Sequence, residues 1–221
     1  MKTPLTLQEI FKRLFDRFGP LKWWPAETPF EVCVGAILTQ NTAWSNVEKA
    51  ISALKQAGIM SPEALHESDP EQLARLIRPA GYFNVKSRRL KDFSTWLFRN
   101  YHGSLEQMFT DDWLELRAEL LRVRGIGPET ADSILLYAGN KPTFVVDAYT
   151  GRLFLRLGLL PEAAGYDYTR ALFMSNLPED VSLFNEYHAQ IVQQCKRFCR
   201  VKPLCSCCPL CDVCASRLLN S

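Results

Sequence analysis

The sequence has no long apolar run and little that is typical of a β-strand. No 18 consecutive residues are apolar, and the first residues carry no apolar segment of the kind that a secretory signal needs. Positive charge is not in excess either, since 26 Lys and Arg face 24 Asp and Glu, for a formal net charge of +2. That sum neither requires nor excludes a polyanionic partner. We therefore expect a cytoplasmic protein with no membrane partner.

Apolar and aromatic side chains, by contrast, are plentiful. They include five Trp, seven Tyr and thirteen Phe among 221 residues, which is enough for one large domain or two small ones. Apolar residues repeat at helical spacing along nearly the whole chain, and polar residues followed by proline at Thr28, Ser61 and Asp69 are typical helix starts. Residues 143–146 are the one extended candidate. The pattern predicts an all-α fold.

Cysteine is concentrated near one end of the chain. Seven of the eight cysteines fall between Cys195 and Cys214, and Cys33 lies alone in an apolar helical stripe, where we expect it to be part of the core. Disulfides are improbable in a reducing compartment, so the cluster indicates a metal site. Four thiolates can hold either zinc or an iron-sulfur cluster, and their spacing does not choose between them.

Basic residues are clustered locally in two segments. The first contains Lys86, Arg88, Arg89 and Lys91, and the second contains Lys196, Arg197, Arg200 and Lys202. Either cluster could contact phosphates, and the alternative for each is a solvated helix face. The three histidines, His66, His102 and His188, show no metal-binding spacing, and we expect structural or surface roles for them.

Two helical patterns flank a short segment that contains Gly125 and Gly127. Glycine lets the backbone turn tightly and lets a partner approach the main chain closely. Main-chain N–H groups at the start of the second helix would form an anion site suited to a DNA phosphate. A plain helix connection is the alternative, but Asp147, placed twenty residues beyond Gly127, favours a DNA-binding helix-hairpin-helix. Its proposed DNA-binding residues are Arg124, Gly125, Ile126 and Gly127.

The order of these motifs resembles the endonuclease III superfamily of DNA glycosylases. The matching segments are 123–132, 146–153, 37–42, 81–86 and the spaced cysteines, so the resemblance covers nearly the whole chain. It implies two helical lobes flanking a DNA-binding cleft. One is a six-helix barrel over residues 25–141, and the other joins residues 1–24 to 142–221 and carries an iron-sulfur loop at 199–214. We expect a monomer, associated with the nucleoid, that binds double-stranded DNA containing a damaged base.

The resemblance implies that Asp147 is the catalytic aspartate. Such enzymes flip a damaged nucleotide into a pocket and cleave its N-glycosidic bond, which builds positive charge on the sugar. An ionised carboxylate stabilises that charge and can orient or deprotonate a water molecule. A helix N-cap is the alternative role for Asp147, and it is compatible with the catalytic one.

Glu129 stands where bifunctional members of the superfamily carry a lysine. That lysine forms a Schiff base with the sugar and cuts the strand, which a carboxylate cannot do. The resemblance therefore implies a monofunctional glycosylase that leaves an abasic site. Lys141 stays open as a substitute amine. Glu129 itself is a candidate substrate-binding residue of the pocket, and a solvent-facing residue favoured by the helix dipole is its alternative.

Two segments resemble the endonuclease III-related 3-methyladenine glycosylases in particular, which also carry glutamate in place of the lysine. They are residues 21–25 and 38–44. The resemblance implies that Trp23 and Trp44 sandwich an alkylated purine, whose positive charge would suit indole faces. It also implies that Gln40 or Asn41 fills the gap left by the flipped nucleotide. Core packing is the alternative for both tryptophans.

For the cysteines, the resemblance favours a 4Fe-4S cluster over zinc, with a structural role that orders a loop near DNA. Its ligands would be Cys199, Cys205, Cys208 and Cys214. The first interval is one residue shorter than is common in the family, so the first ligand is Cys199 in preference to Cys195, and Cys207 and Cys211 remain competitors. Two other functions stay open: excision of uracil, thymine or an oxidised pyrimidine, and non-catalytic binding to DNA structure.

Overall fold

The protein is described by a computed structural model that covers residues 5–21 and 23–218, so Lys22, within the tryptophan segment, lies outside it. In these ranges the regular structure is helical and contains no strand, which confirms the predicted all-α class. The α-helices are α1 (Leu7–Phe18), α2 (Pro29–Leu38), α3 (Trp44–Gln56), α4 (Pro62–Glu67), α5 (Pro70–Leu76), α6 (Phe83–Tyr101), α7 (Leu105–Met108), α8 (Trp113–Leu120), α9 (Pro128–Ser133), α10 (Ala148–Leu157), α11 (Tyr166–Asn176), α12 (Val181–Arg197) and α13 (Ala215–Leu218).

Short helical turns supplement these helices. A π-helical turn, Ile134–Ala138, continues α9, and 3-10 turns lie at Arg78–Ala80 and Cys205–Cys207. Among the described residues, no helix is both long enough and apolar enough to cross a membrane.

The chain divides into two compact units. The hairpin unit is Ala26–Lys141 and contains α2 to α9. The terminal unit combines the chain up to Pro25 with the chain from Pro142 onward, and it contains α1 and α10 to α13.

The centre of the hairpin unit is α2. Nine of its ten residues are buried, including Cys33, because α3, α6 and α9 pack around it. A helix that is apolar on all sides is stable only in such an enclosed position. Its start is fixed by Thr28, whose hydroxyl accepts a hydrogen bond from the Glu31 N–H, as the polar residue before Pro29 predicts.

Two lysines of the basic cluster on α6 direct their amines at main-chain carbonyl groups rather than at solvent or a phosphate, whereas Arg88 of the same cluster is exposed. Lys86 is 1 % exposed, and its amine donates to the carbonyls of Leu38 and Ala80 at 2.8 and 2.7 Å. The amine of Lys91 donates to carbonyls at and just beyond the end of α4, including Ser68 O at 2.8 Å. The sequence expectation was wrong for these two lysines because helix ends leave carbonyls that a cation can satisfy.

In the terminal unit, α12 packs against α1 and α10 over an aromatic core. The buried Tyr187 on α12 meets Phe154 of α10 edge to face, with ring centroids 6.4 Å apart, and donates its hydroxyl proton to Leu7 O of α1 at 2.8 Å. These contacts fix α12 against both of its neighbours, and therefore fix the side chains that α12 presents to the start of α10.

Candidate functional site

Asp147 lies at the junction between a buried extended segment and α10. It is the N-cap of α10, and its Oδ1 accepts hydrogen bonds from the Thr150 N–H at 2.7 Å and from the Thr150 hydroxyl at 2.9 Å. Both bonds use the same oxygen. The cap therefore fixes the carboxylate while leaving Oδ2 out of the helix start.

The Oδ2 atom faces His188 on α12. The distance from His188 Nε2 to Asp147 Oδ2 is 3.6 Å, and the two side chains are only 5 % and 14 % exposed. Burial by itself raises the pKa of Asp147, but the contacts with His188 and Thr150 outweigh it and leave the pKa below its ordinary value. The carboxylate is therefore held in its ionised form.

Trp23 extends this group of side chains. Its ring meets His188 edge to face, with centroids 6.2 Å apart, and meets Trp24 in the same manner at 5.9 Å. Lys196 Nζ lies 5.9 Å from the Trp23 ring centroid, a cation–π distance. Trp44 belongs to the hairpin unit, where its indole N–H donates to Glu48 at 2.9 Å, so the predicted sandwich of Trp23 and Trp44 stays a prediction.

The helix-hairpin-helix is formed by α8, residues 121–127 and α9. Gly125 has a φ of +86°, and a Cβ at this position would clash with the side chain of Arg89, so glycine avoids both backbone strain and this clash. Arg117 and Asp132 join the two helices through a bidentate ion pair, with N–O distances of 2.8 and 2.9 Å. This pair is almost fully buried.

The predicted DNA-binding residues of the hairpin have different surroundings. Arg124 and Glu129 are exposed, whereas the side chain of Ile126 is 4 % exposed and packs inward. Gly127 is the N-cap of α9, in an extended conformation. The predicted DNA contact of Ile126 is therefore not available through its side chain or its N–H, because the N–H donates to Val123 O at 3.0 Å, while Arg124 offers its guanidinium group.

Gln40 and Asn41 have opposite environments. The Gln40 amide donates to Gly125 O at 3.1 Å and to the Thr130 hydroxyl at 2.8 Å, and its oxygen accepts from Arg89. Asn41 is exposed and has a left-handed backbone with φ 54°. The structure thus ties the Gln40 side chain to the hairpin and presents Asn41 to solvent.

Five cysteines line a single cavity of about 560 Å³ in the terminal unit. They are Cys199, Cys205, Cys208, Cys211 and Cys214. Cys207 is exposed, and Cys195 is buried with its thiol 3.5 Å from Tyr149 O, so neither lines the cavity. Across residues 5–21 and 23–218, no three His, Cys, Asp or Glu side chains are already arranged as metal ligands.

Donors surround the sulfur atoms of the cavity. Gln194 donates an amide proton to Cys208 Sγ at 3.0 Å, and Arg156 on α10 lies 3.4 Å from Cys199 Sγ. The contact with Cys195, opposed by burial and assisted by Arg156, lowers the pKa of the Cys199 thiol to about 6. Cysteine sulfur atoms are the ligands of iron-sulfur clusters, and N–H groups directed at sulfur tune such clusters, so the residues that line this cavity fit one.

His188 is the site residue that the sequence analysis did not identify. It was assigned a structural or surface role because no metal spacing includes it. No local pattern could have revealed it, because only the packing of α12 against α10 brings it to Asp147.

Comparison with known proteins gives consistent matches. The profile of the HhH-GPD superfamily base excision DNA repair proteins matches residues 34–179. A protein of Methanocaldococcus jannaschii, assigned provisionally as a DNA repair glycosylase, is 50% identical over 212 residues, covering 96% of each chain. Endonuclease III of Thermotoga maritima is 32% identical over 208 residues, covering 94% of this chain and 89% of its own.

A solved structure agrees with these matches. The H. pylori 3-methyladenine DNA glycosylase, bound to 1,N6-ethenoadenine, superposes with a TM-score of 0.76 at 30% identity. The superposition covers 86% of this chain and 96% of that one.

Proposed function

The chain belongs to the HhH-GPD superfamily of base excision DNA repair proteins, and we propose that within it the protein is a monofunctional DNA glycosylase for alkylated purines. The observation that carries this proposal is the buried, ionised Asp147, which keeps one oxygen outside its helix cap. A helix cap alone does not need that second oxygen.

The proposed reaction hydrolyses the N-glycosidic bond of a flipped nucleotide. The bond from C1′ to the base nitrogen breaks, and its electron pair leaves with the base. Asp147 stabilises the positive charge that develops on the sugar. A water oxygen then bonds to C1′, and the proton that it loses passes to Asp147 and on to solvent. A cationic alkylated purine leaves as a neutral base, so little acid assistance is needed.

The absence of lyase chemistry is proposed from Glu129. A Schiff base requires an amine, and a carboxylate at this position cannot supply one. The buried Lys86 is committed to two carbonyl groups. Lys141 remains the amine to be tested.

Support for a purine substrate comes from Trp23 and from the H. pylori enzyme, whose structure holds 1,N6-ethenoadenine. Trp23 lies in contact with His188, next to Asp147, and indole faces suit stacked bases. Because Lys196 lies near the Trp23 ring, a cationic base would stack best on the face that the lysine does not occupy. Assays of base release from duplexes with different modified bases distinguish purine excision from pyrimidine excision and from non-catalytic binding.

For the residue that fills the gap in the duplex, we propose Asn41. The polar atoms of Gln40 already have partners in the hairpin unit, whereas Asn41 is exposed. Removing Gln40 from its hydrogen bonds would leave buried groups unsatisfied, which is costly. For phosphate binding, we propose the main-chain N–H groups of Gly125 and Gly127 together with the Arg124 guanidinium, since the Ile126 N–H already donates to Val123 O.

The proposed cofactor is a 4Fe-4S cluster held by Cys199, Cys205, Cys208 and Cys214. All four line the cavity, and Cys195 does not, which favours Cys199 as the first ligand. When bound, the cluster would act as a rigid scaffold for a segment that has few buried apolar residues. Arg156 links that segment to α10 by donating to the carbonyls of Arg200 and Val201 at 2.6 and 3.1 Å.

The activity test uses duplexes that each carry one modified base: 3-methyladenine, 7-methylguanine, 1,N6-ethenoadenine, uracil or thymine glycol. Base release is measured separately from strand cutting, and borohydride is added to trap any covalent adduct. We expect release of purines without cutting or trapping. Release of pyrimidines alone would contradict the substrate class, a trapped adduct would contradict the Glu129 argument, and binding without release from any duplex would support the non-catalytic alternative.

The cofactor test replaces the cavity cysteines one at a time with serine and measures bound iron, bound zinc and visible absorption. We expect loss of iron in the variants of the four ligands and normal iron content in the matched control Cys207→Ser, whose thiol is exposed. Retained iron in Cys199→Ser together with loss in Cys211→Ser would overturn the assignment. Bound zinc without iron would overturn the choice of metal.

A further inference from the structure

We propose that His188 is a positioning residue that holds the Asp147 carboxylate in its reactive orientation. This role rests on the proposed function, because it assumes that Asp147 performs the chemistry. It adds a residue that no sequence motif indicates.

The two oxygens of Asp147 have separate partners. Oδ1 accepts both hydrogen bonds from Thr150, and Oδ2 faces His188 Nε2. At 3.6 Å this second contact is longer than a hydrogen bond. Catalytic contacts are often long without substrate and shorten in the complex. An Nε2–H group can donate to Oδ2 both in one neutral tautomer of the imidazole and in its protonated form.

His188 is held rigidly enough to perform this role. The preceding residue on α12, Tyr187, donates its hydroxyl proton to Leu7 O at 2.8 Å, and two residues after His188, Gln190 donates to Gly19 O at 2.7 Å. Trp23 packs against the imidazole ring itself. Groups that orient a catalytic side chain work only when their own position is locked by packing.

Three ionisable groups near this part of the unit have partners elsewhere, and a fourth, Lys196, lies against the Trp23 ring. Glu186, on the same helix, accepts from Gln190 at 2.6 Å and from the Leu21 N–H at 3.1 Å. Arg152, on α10, donates to Cys199 O at 2.9 Å, and the buried thiol of Cys195 lies near Tyr149 O. Asp147 is therefore the carboxylate that His188 faces.

The alternative is a histidine that only fills space in the core. A double-mutant cycle separates the two roles, because a positioning residue acts through Asp147 and a space-filling residue does not. The variants are His188→Ala, His188→Gln, Asp147→Asn and the double variant Asp147→Asn/His188→Ala. His102→Asn is the matched control, since His102 is exposed in the hairpin unit with φ 51°, and asparagine tolerates that backbone.

In single-turnover assays on a purine duplex, we expect His188→Ala to lower the rate of base release by about 10-fold to 100-fold. The Kd for DNA should stay within about twofold of the original value, because the effect is on orientation rather than on binding. His188→Gln retains an N–H donor and should recover most of the rate. In the Asp147→Asn background, His188→Ala should cause little further loss.

A second readout needs no activity. Carbon-13 NMR of the aspartate carboxyl groups reports the titration of Asp147, and its midpoint should move to higher pH in His188→Ala and less in His188→Gln. An unchanged midpoint, or equal rate losses from His188→Ala with and without Asp147→Asn, would overturn the positioning role. If the unaltered protein releases no base from any duplex but the midpoint moves, the proposed function fails while the contact itself stands.

Discussion

Replacing Asp147 by asparagine separates its structural role from its chemical one. The Asn side chain has the same shape, and its oxygen can still accept both hydrogen bonds from Thr150. Asparagine is also among the best N-cap residues. Folding should therefore be almost unchanged, and the main loss is the negative charge next to His188.

The magnitude follows from the two roles. Loss of a carboxylate that stabilises the transition state and handles a proton should slow base release by roughly 10²-fold to 10⁴-fold, which is about 3 to 5 kcal/mol of barrier. The variant Asp147→Ala should lose the same activity, and its lost cap should also cost about 1 kcal/mol of folding stability. For a chain of this length, that corresponds to a fall in Tm of about 2 to 4 °C.

The assay is single-turnover release of a purine base, with the abasic product revealed by alkali, alongside thermal unfolding and DNA binding. We expect Asp147→Asn to bind DNA and to unfold at nearly the original temperature while releasing base very slowly. If Asp147→Asn releases base at the original rate, the carboxylate is not the catalytic group. If it unfolds as early as Asp147→Ala, the loss of activity could not be assigned to charge.

Three further predictions follow from other contacts. Arg117→Ala should destabilise the protein by about 3 to 5 kcal/mol, because it leaves Asp132 charged and buried. Denaturant unfolding measures the free energy of unfolding, and a decrease of less than about 1 kcal/mol would contradict this prediction. Glu129→Lys should create a borohydride-trapped adduct that Glu129→Gln does not form, and equal trapping in both would refute the role of this position. Because the pKa of Asp147 is lowered, its carboxylate should stay ionised from neutral pH down to about pH 4, and its contribution to the rate of base release should be lost only as the pH falls further. A pH–rate profile that already declines near pH 6 would contradict this prediction.

Local patterns in the sequence predicted what depends on neighbouring residues. The helix starts at Thr28, Ser61 and Asp69 are present as expected, because an N-cap and a following proline act within one turn. The glycine at 125 was singled out correctly, because a positive φ is a property of the local backbone.

Charge clusters were a poor guide, because a cation's partner depends on distant parts of the chain. Lys86 and Lys91 were interpreted as exposed on a face of α6. Their amines instead satisfy carbonyl groups at the end of α2, in the turn before α6 and around the end of α4. The packing of α6 against these elements determines which carbonyl groups the two amines contact. The sequence of α6 alone does not show that a free carbonyl at the end of another helix lies nearby.

By itself, the sequence determined the helical class, the hairpin turn and the cysteine-rich segment, since each depends on residues close together in the chain, and the order of its motifs made Asp147 the candidate aspartate. The tertiary structure decided which side chains meet. It placed His188 beside Asp147, bound Gln40 to the hairpin while leaving Asn41 exposed, and selected five of the seven clustered cysteines to line one cavity. Contacts between residues far apart in sequence arise from helix packing, and no local periodicity encodes them.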